Sequence, residues 1–200
     1  MPDNPAREKE PLVLHICCAP DEAWVVHTLN EQFDLHCFFC NPNIAPETEY
    51  RLRCKEARNV AAHYSVPFYE DRYDPGSWEE AIAPAAGTPE GGERCRRCFD
   101  LRLERTARFC AEHDFPAFTT VMSISPHKRI GMLHTAGNAA AAANSVVYRE
   151  FDFKKKDGFR NSIVLSRELG LYRQDYCGCR LSRAERDARI QQRSVLENQG

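Results

Sequence analysis

Apolar and polar residues fall into blocks that predict strands and helices in alternation. Short, mostly apolar runs predict five strands, at residues 12–16, 35–39, 66–69, 117–121 and 145–149. Apolar residues at helical spacing predict helices at residues 23–29, 47–63, 93–113, 128–143, 161–168 and from 181 onwards. Strands that alternate with helices favour a parallel sheet with right-handed crossovers. We therefore expect an α/β fold in a single domain, with a Rossmann-like parallel sheet of about five strands flanked by helices.

Two segments depart from this alternation. Residues 74–92 are rich in proline and glycine, which predicts loops with one helical turn near residues 78–82. Residues 1–10 are expected to form a disordered lead. The α/β domain would then span residues 11–200.

The composition limits the classes of function. The 200 residues carry a net charge of −2, which argues against a general affinity for nucleic acid but permits a local basic face. No apolar run approaches the roughly 18 residues of a membrane span. The N-terminal residues also lack the features of a secretory signal. The expected location is therefore cytoplasmic, with no membrane partner.

The ten cysteines are the main chemical feature of the chain. Six of them fall in three tight groups, at Cys17–Cys18, Cys95–Cys98 and Cys177–Cys179. Disulfides are disfavoured in a reducing compartment, and adjacent cysteines bridge each other only with strain. Grouped thiolates instead suit a soft metal centre. Six thiolates exceed the four that a tetrahedral zinc accepts, and they suffice for a [4Fe–4S] cluster with ligands left for a second metal.

Local sequence places these thiols where ligands are expected. Cys17 and Cys18 follow the first predicted strand and precede a helix start, with the carboxylate of Asp21 close by. In a parallel sheet, ligands bind at the carboxyl ends of the strands. A helix N-terminus also favours the thiolate form. Gly178 allows a tight turn that lets Cys177 and Cys179 face one centre.

The other four cysteines have a structural interpretation. Cys54 and Cys110 lie on apolar helix faces, so we expect them in the core. Cys37 and Cys40 form a second CxxC motif, but they lie in a strand whose alternation sends them to opposite faces. A zinc site that combines this pair with Cys95–Cys98 is a formal alternative.

Several polar residues are further candidates for the site. His127 is a possible proton donor, and Lys128 near a helix start is a possible phosphate contact. Tyr172 and Arg173 have the chemistry to stack on and hydrogen-bond a splayed base. Packing or simple surface exposure explains each of these residues equally well.

Six motifs in order resemble the QueH-type epoxyqueuosine reductases over nearly the whole chain, from Leu14 to Cys179. They are LHICCAPD (14–21), FFCNPNIAPETEY (38–50), ERCRRCFDLRLERTA (93–107), FTTVMSISPHK (118–128), DFKKKDGF (152–159) and LYRQDYCGC (171–179). The resemblance implies an oxidoreductase that reduces the epoxide of epoxyqueuosine to give queuosine. Its substrate would be the wobble position of tRNA with a GUN anticodon.

The resemblance also implies the cofactors and the site residues. It implies a [4Fe–4S] cluster and an additional iron, without cobalamin, and an external electron donor such as ferredoxin or flavodoxin. The ligands would come from Cys17, Cys18, Asp21, Cys95, Cys98, Cys177 and Cys179. Their partition between the cluster and the extra iron stays open. The proton would come from Asp21, Tyr176 or His127. The tRNA phosphates would contact Arg94, Arg97, Lys128, Lys154, Lys155 and Arg173.

Three other functions compete with this interpretation. A zinc-stabilised nucleic-acid-binding module without redox activity would need four good ligands and no open site. A thiol–disulfide oxidoreductase would use Cys95 and Cys98 alone. An ATP-using tRNA-modifying enzyme would need a glycine-rich phosphate loop after the first strand, where this chain has CCAPD instead.

Overall fold

A five-stranded parallel sheet forms the centre of the protein in the computed structural model, which describes residues 9–197. Its strands are β1 (Glu10–Ile16), β2 (Phe33–Phe39), β3 (Phe68–Glu70), β4 (Ala117–Thr120) and β5 (Val147–Tyr148). The strand order is β3–β2–β1–β4–β5, and every neighbouring pair is parallel. The predicted α/β class and the parallel five-stranded sheet are therefore confirmed.

Seven α-helices connect or follow these strands within a single domain. They are α1 (Ala19–Leu29), α2 (Glu47–His63), α3 (Pro75–Ile82), α4 (Glu93–Glu112), α5 (Ile130–Asn144), α6 (Gly158–Glu168) and α7 (Arg180–Glu197). Two short 3₁₀ helices cover Ala83–Ala85 and Val121–Ile124. In the described part, no helix is both long and apolar enough to cross a membrane.

The central strand β1 carries the core. Leu12, Val13 and Leu14 are completely buried, which is typical of a parallel strand covered on both faces. Cys54 and Cys110 also belong to this core, as predicted. The position of β1 brings its carboxyl end to the middle of one sheet edge, between the ends of β2 and β4.

Some element boundaries differ from the predicted ones. Helix α1 begins at Ala19 and so includes the first turn predicted at Pro20 and Asp21 as well as residues 23–29, because Pro20 suits a first helical turn and acidic residues follow it. Strand β4 ends at Thr120, whose side chain accepts a hydrogen bond from Met122 N and starts the 3₁₀ turn.

Near the predicted loops, α3 extends over two turns. Asp74 caps this helix by accepting from Ser77 N at 3.2 Å. The predicted lead falls mostly on residues 1–8, which lie outside the described residues, and β1 begins at Glu10.

Candidate metal centre

Cys17, Cys18 and Asp21 form a tight ligand group at the carboxyl end of β1. The two sulfur atoms are 3.8 Å apart, and Cys17 Sγ is 3.7 Å from Asp21 Oδ2. The three ligand atoms lie within 4.8 Å of one another. Within residues 9–197 this is the one group of three or more potential ligands that meets this spacing. The predicted association of the CC pair with Asp21 is therefore present.

The electrostatics of this group favour one thiolate. The hydrogen bond between the two sulfurs lowers the pKa of Cys17 to about 7, against the opposing effect of burial. The same bond raises the pKa of Cys18. Burial also raises the pKa of Asp21, while the nearby Lys128 ammonium opposes this shift. The group thus offers two sulfur atoms and one oxygen to a cation.

Cys95, Cys98, Cys177 and Cys179 form a second, looser thiol group. Cys95 and Cys98 lie in the first turns of α4, and the other two lie in the loop before α7. Cys98 and Cys179 pack in one small apolar cluster with Trp78. Burial, together with the nearby Cys177 and Cys98, raises the pKa of Cys95 to about 11, against the opposing hydrogen bond from Gly91 N. The structure therefore brings the CxxC and CGC motifs together.

A buried arginine holds the CGC loop in place. Arg53 of α2 donates to Cys177 O at 3.0 Å and to Tyr176 O at 3.4 Å, and it pairs with Glu49 at 2.7 Å. Gly178 has a φ of 125°, a conformation that favours glycine. Its carbonyl accepts a hydrogen bond from Ala45 N at 2.9 Å. These contacts tie the backbone of the CGC loop to α2 and to Ala45.

Lys128 interacts electrostatically with both thiol groups. Burial works against its charge, but the thiols of Cys17 and Cys177 and the carboxyl of Asp21 raise its pKa. Burial raises the pKa of Cys177 and opposes the lowered pKa of Cys17, and the charge of Lys128 acts to lower both. The residue predicted as a phosphate contact therefore acts electrostatically on the thiols, and both thiol groups share this edge of the sheet.

A buried polar network binds the chain just after β2, beside the site. His15 Nε2 contacts the Cys40 carbonyl at 3.1 Å, so this nitrogen carries the proton, and Nδ1 accepts from the Thr120 hydroxyl at 2.8 Å. Arg102 donates through Nε to the same carbonyl and through Nη2 to Asn41 Oδ1, at 3.2 and 2.6 Å. Sequence reasoning missed His15 and Arg102. The signal for Arg102 was a charge one helical turn after Cys98.

The second CxxC motif does not form a shared site. Cys40 Sγ donates to Asp71 Oδ2 at 3.0 Å. Burial and the adjacent Glu22 raise the pKa of Cys37. The two cysteines therefore have separate carboxylate neighbours, which confirms the expectation from strand alternation.

Arg94 corrects one prediction. Its side chain is 5% exposed, and it donates to Glu185 Oε1 at 2.6 Å and to the Thr88 carbonyl. It joins α4 to α7 and the preceding loop, so the prediction that it contacts phosphate is wrong. Its partner Glu185 lies 91 positions away in the chain, a separation that local sequence patterns do not reveal.

The other predicted RNA-contacting residues lie nearer the surface. Arg97 is half-buried and lies 3.3 Å from Glu93, and Lys154 Nζ donates to Lys128 O at 3.4 Å. Lys155 is exposed. Arg173 is also exposed and donates to Ser166 Oγ at 2.9 Å.

The predicted proton donors have different surroundings. Tyr176 donates its hydroxyl proton to Ala45 O at 3.1 Å, and its ring is contacted by the Arg53 and Arg186 guanidinium groups, each 5.1 Å from the ring centroid. His127 is exposed beside Lys128. Asp21 lies within the tight ligand group. The Tyr176 hydroxyl is therefore engaged by the backbone, whereas the other two groups are not.

Comparison with solved structures gives similarity in fold. A predicted subunit of tRNA methyltransferase from Methanocaldococcus jannaschii matches with a TM-score of 0.54 and 14% identity, over 77% of this chain and 75% of that one. The U34-tRNA thiolase NcsA from Methanococcus maripaludis, solved with its [4Fe–4S] cluster, matches with a TM-score of 0.50 and 12% identity. That match covers 84% of this chain and 59% of NcsA. At these identities the likeness concerns the α/β fold.

Comparison of sequences gives the family. The family model for epoxyqueuosine reductase QueH matches residues 12–185. The QueH of Streptococcus pyogenes serotype M1 is 34% identical over 174 residues, which are 84% of this chain and 68% of that protein. The QueH of Thermotoga maritima is 34% identical over 178 residues, which are 88% of this chain and 91% of that protein. The chain therefore belongs to the QueH family of epoxyqueuosine reductases, oxidoreductases of tRNA modification.

Proposed function

We propose that this protein reduces the epoxide of epoxyqueuosine at the wobble position of tRNA, giving queuosine. It would do so with a [4Fe–4S] cluster and an additional iron, and without cobalamin. The observation that carries the proposal is the pair of thiol groups at one sheet edge, with Lys128 acting on both. In this arrangement a redox centre would supply electrons beside a second metal that would act as a Lewis acid.

The tight group fits a single metal ion. Two sulfurs bound to a tetrahedral metal at about 2.3 Å lie about 3.8 Å apart. The Cys17 and Cys18 sulfurs are separated by 3.8 Å. Asp21 supplies a harder oxygen ligand, which suits ferrous iron. Three protein ligands leave a position open, which is typical of a catalytic rather than a structural site. We assign the additional iron to this group.

The looser group fits a cluster. Four thiols from Cys95, Cys98, Cys177 and Cys179 are the number of ligands that a [4Fe–4S] cluster takes. Among the described residues, no second group of three potential ligand atoms lies within 4.8 Å of one another. The four sulfur atoms are therefore not packed as closely as the ligands of one mononuclear metal. None of these four cysteines forms a disulfide, so their thiols are available to bind a cluster.

The reaction sets the requirements. Conversion of an epoxide to an alkene breaks both carbon–oxygen bonds, releases water, and consumes two electrons and two protons. When bound, the iron–sulfur centre would supply the electrons one at a time, and the iron with the open position would act as a Lewis acid. Lys128 places a positive charge where the oxygen gains negative charge. His127, exposed beside it, can exchange protons with solvent, and we prefer it to Tyr176 as the proton donor.

The surface near the site suits an anionic substrate. Lys155 and Arg173 are exposed, and we assign them and Lys154 to contacts with phosphates of the anticodon stem-loop. Arg97 retains partial exposure for the same role. An external one-electron donor such as ferredoxin or flavodoxin supplies the electrons. We assign the reaction to the cytoplasm.

The first experiment is measurement of iron, acid-labile sulfide and zinc in protein purified without oxygen, together with reduction of epoxyqueuosine-containing tRNA. Iron in excess of sulfide is expected, and Cys95→Ala should lose sulfide and activity. Cys54→Ala, which removes a core cysteine, is the matched control and should keep both. Stoichiometric zinc without sulfide would refute the proposal and favour a zinc-stabilised nucleic-acid-binding module.

The ligand partition has its own test. Cys17→Ala should keep sulfide at the wild-type level but lose the iron in excess of sulfide. Loss of sulfide from Cys17→Ala would instead place Cys17 among the cluster ligands and contradict the partition.

A further inference from the structure

We propose that Arg102 is a positioning residue that raises the reduction potential of the cluster, by placing a positive charge against its thiolate ligands. This inference rests on the proposed function. It concerns a residue buried behind the ligands rather than one that touches the substrate.

The burial of Arg102 is nearly complete. Its side chain is 1% exposed, in the middle of α4 and one helical turn after Cys98. Its hydrogen bonds go to the Cys40 carbonyl at 3.2 Å and to the Asn41 side-chain oxygen at 2.6 Å. Both acceptors are neutral. These bonds hold the guanidinium in place, but they leave its charge uncompensated.

Other buried arginines of the described part are paired with carboxylates. Arg53 pairs with Glu49 at 2.7 Å and Arg94 with Glu185 at 2.6 Å. Over residues 9–197 no carboxylate pairs with Arg102, and the side chains whose charge acts most strongly on it are the thiols of Cys98, Cys17, Cys177 and Cys40. An isolated buried charge is strongly unfavourable. When a bound cluster deprotonates Cys98 and Cys177, their thiolates would supply the compensating negative charge.

A fixed positive charge beside the ligands affects the two oxidation states of a cluster differently. Reduction adds one negative charge, which the guanidinium stabilises. At an effective dielectric constant of about 20 and a separation of roughly 10 Å, one unit charge changes an equilibrium constant about tenfold. For a one-electron couple, a tenfold change corresponds to about 59 mV.

The test is a potentiometric titration of the loaded protein, followed by electron paramagnetic resonance. Arg102→Met should lower the midpoint potential by about 59 mV, whereas Arg102→Lys should keep most of the wild-type value. The matched control is Arg108→Met on the same helix. Its side chain is 58% exposed and lies ten positions after Cys98, so solvent screens its charge and its removal should shift the potential much less.

The outcomes separate this inference from the proposed function. Wild-type protein that binds no cluster would refute the proposed function itself. A loaded Arg102→Met protein with the wild-type potential would overturn only the role of Arg102. If Arg102→Met folds but loads no cluster, loading of Arg102→Lys supports the need for charge. Failure of both folded variants to load would show that the shape of the guanidinium matters instead, and would overturn the inference.

Discussion

Replacement of Gly178 by alanine tests whether the CGC loop is held in one conformation. Gly178 has a φ of 125°, which an alanine adopts only with strain. An added Cβ would lie 3.0 Å from Ile44 Cγ1 and 3.1 Å from Arg53 Nη1. The substitution therefore combines an unfavourable backbone conformation with crowding of the arginine that holds the loop.

The magnitude follows from these two effects. Backbone strain of this kind costs about 1–3 kcal/mol, and overpacking in a filled interior costs about 1–3 kcal/mol more. Typical domains are stable by about 5–15 kcal/mol, so we expect Gly178→Ala to fold at 20 °C or below but to unfold at lower denaturant concentration. Movement of the loop would also displace Cys177 and Cys179, so sulfide content should fall.

The assay is denaturant unfolding of the metal-free protein, together with iron and sulfide content after anaerobic reconstitution. Gly170→Ala is the matched control, because Gly170 has a φ of 64° and an added Cβ there meets no described atom within 4 Å. It should show the strain alone, about 1 kcal/mol, and full cluster loading. Equal stability and equal sulfide in Gly178→Ala and wild type would refute the reasoning.

Three further predictions concern stability. Arg53→Ala leaves a carboxylate without its buried partner and should cost about 3–5 kcal/mol in denaturant unfolding, whereas removal of the exposed ion pair by Arg51→Ala on the same helix should change the free energy of unfolding by less than about 0.5 kcal/mol. Gly137→Ala should destabilise by about 1–3 kcal/mol, because its Cβ would lie 2.5 Å from a ring of β5. In the same helix, a Cβ added at Gly131 meets no described atom within 4 Å, so Gly131→Ala should stabilise by up to about 1 kcal/mol. A Gly137→Ala protein more stable than Gly131→Ala would contradict the packing. The hydrogen bond from Ser77 N that caps α3 lowers the pKa of Asp74 below its ordinary value of 3.8. The stabilisation of the folded protein by this cap is therefore present above pH 3.8 and is lost as pH falls through the lowered pKa. Asp74→Ala should therefore lower the thermal midpoint at pH 7 and converge with wild type in acid; a constant difference would count against the cap.

The two donor sets differ in the way that their assigned roles require. The group of Cys17, Cys18 and Asp21 mixes soft and hard ligands and contains fewer than four, so under the proposed function it would leave room for an oxygen of the substrate. The group that contains the CxxC and CGC motifs offers only sulfur. The charge of Lys128 interacts with residues of both groups.

The short-range patterns of the sequence determined the architecture. Apolar runs alternating with helical periodicity predicted the parallel sheet, and the order of the strands brought the cysteines to one edge. The grouping of the six thiols, with Asp21 beside the first pair, predicted a metal centre before any contact was known. These features could be predicted because periodicity and ligand spacing depend on neighbours within one or two turns or strands.

The tertiary structure decided what each charged side chain does. Arg94 and Arg97 look alike in the sequence of α4. Arg94 is buried where it pairs with Glu185 of α7, whereas Arg97 stays partly exposed. Arg102 looks like another basic residue of the same helix, yet it lies behind the thiols with neutral hydrogen-bond partners. The separation of the thiols into a tight and a loose group was likewise invisible in the sequence. Burial and charge pairing depend on residues far apart in the chain, and only the packing of the helices against the sheet brings those residues together.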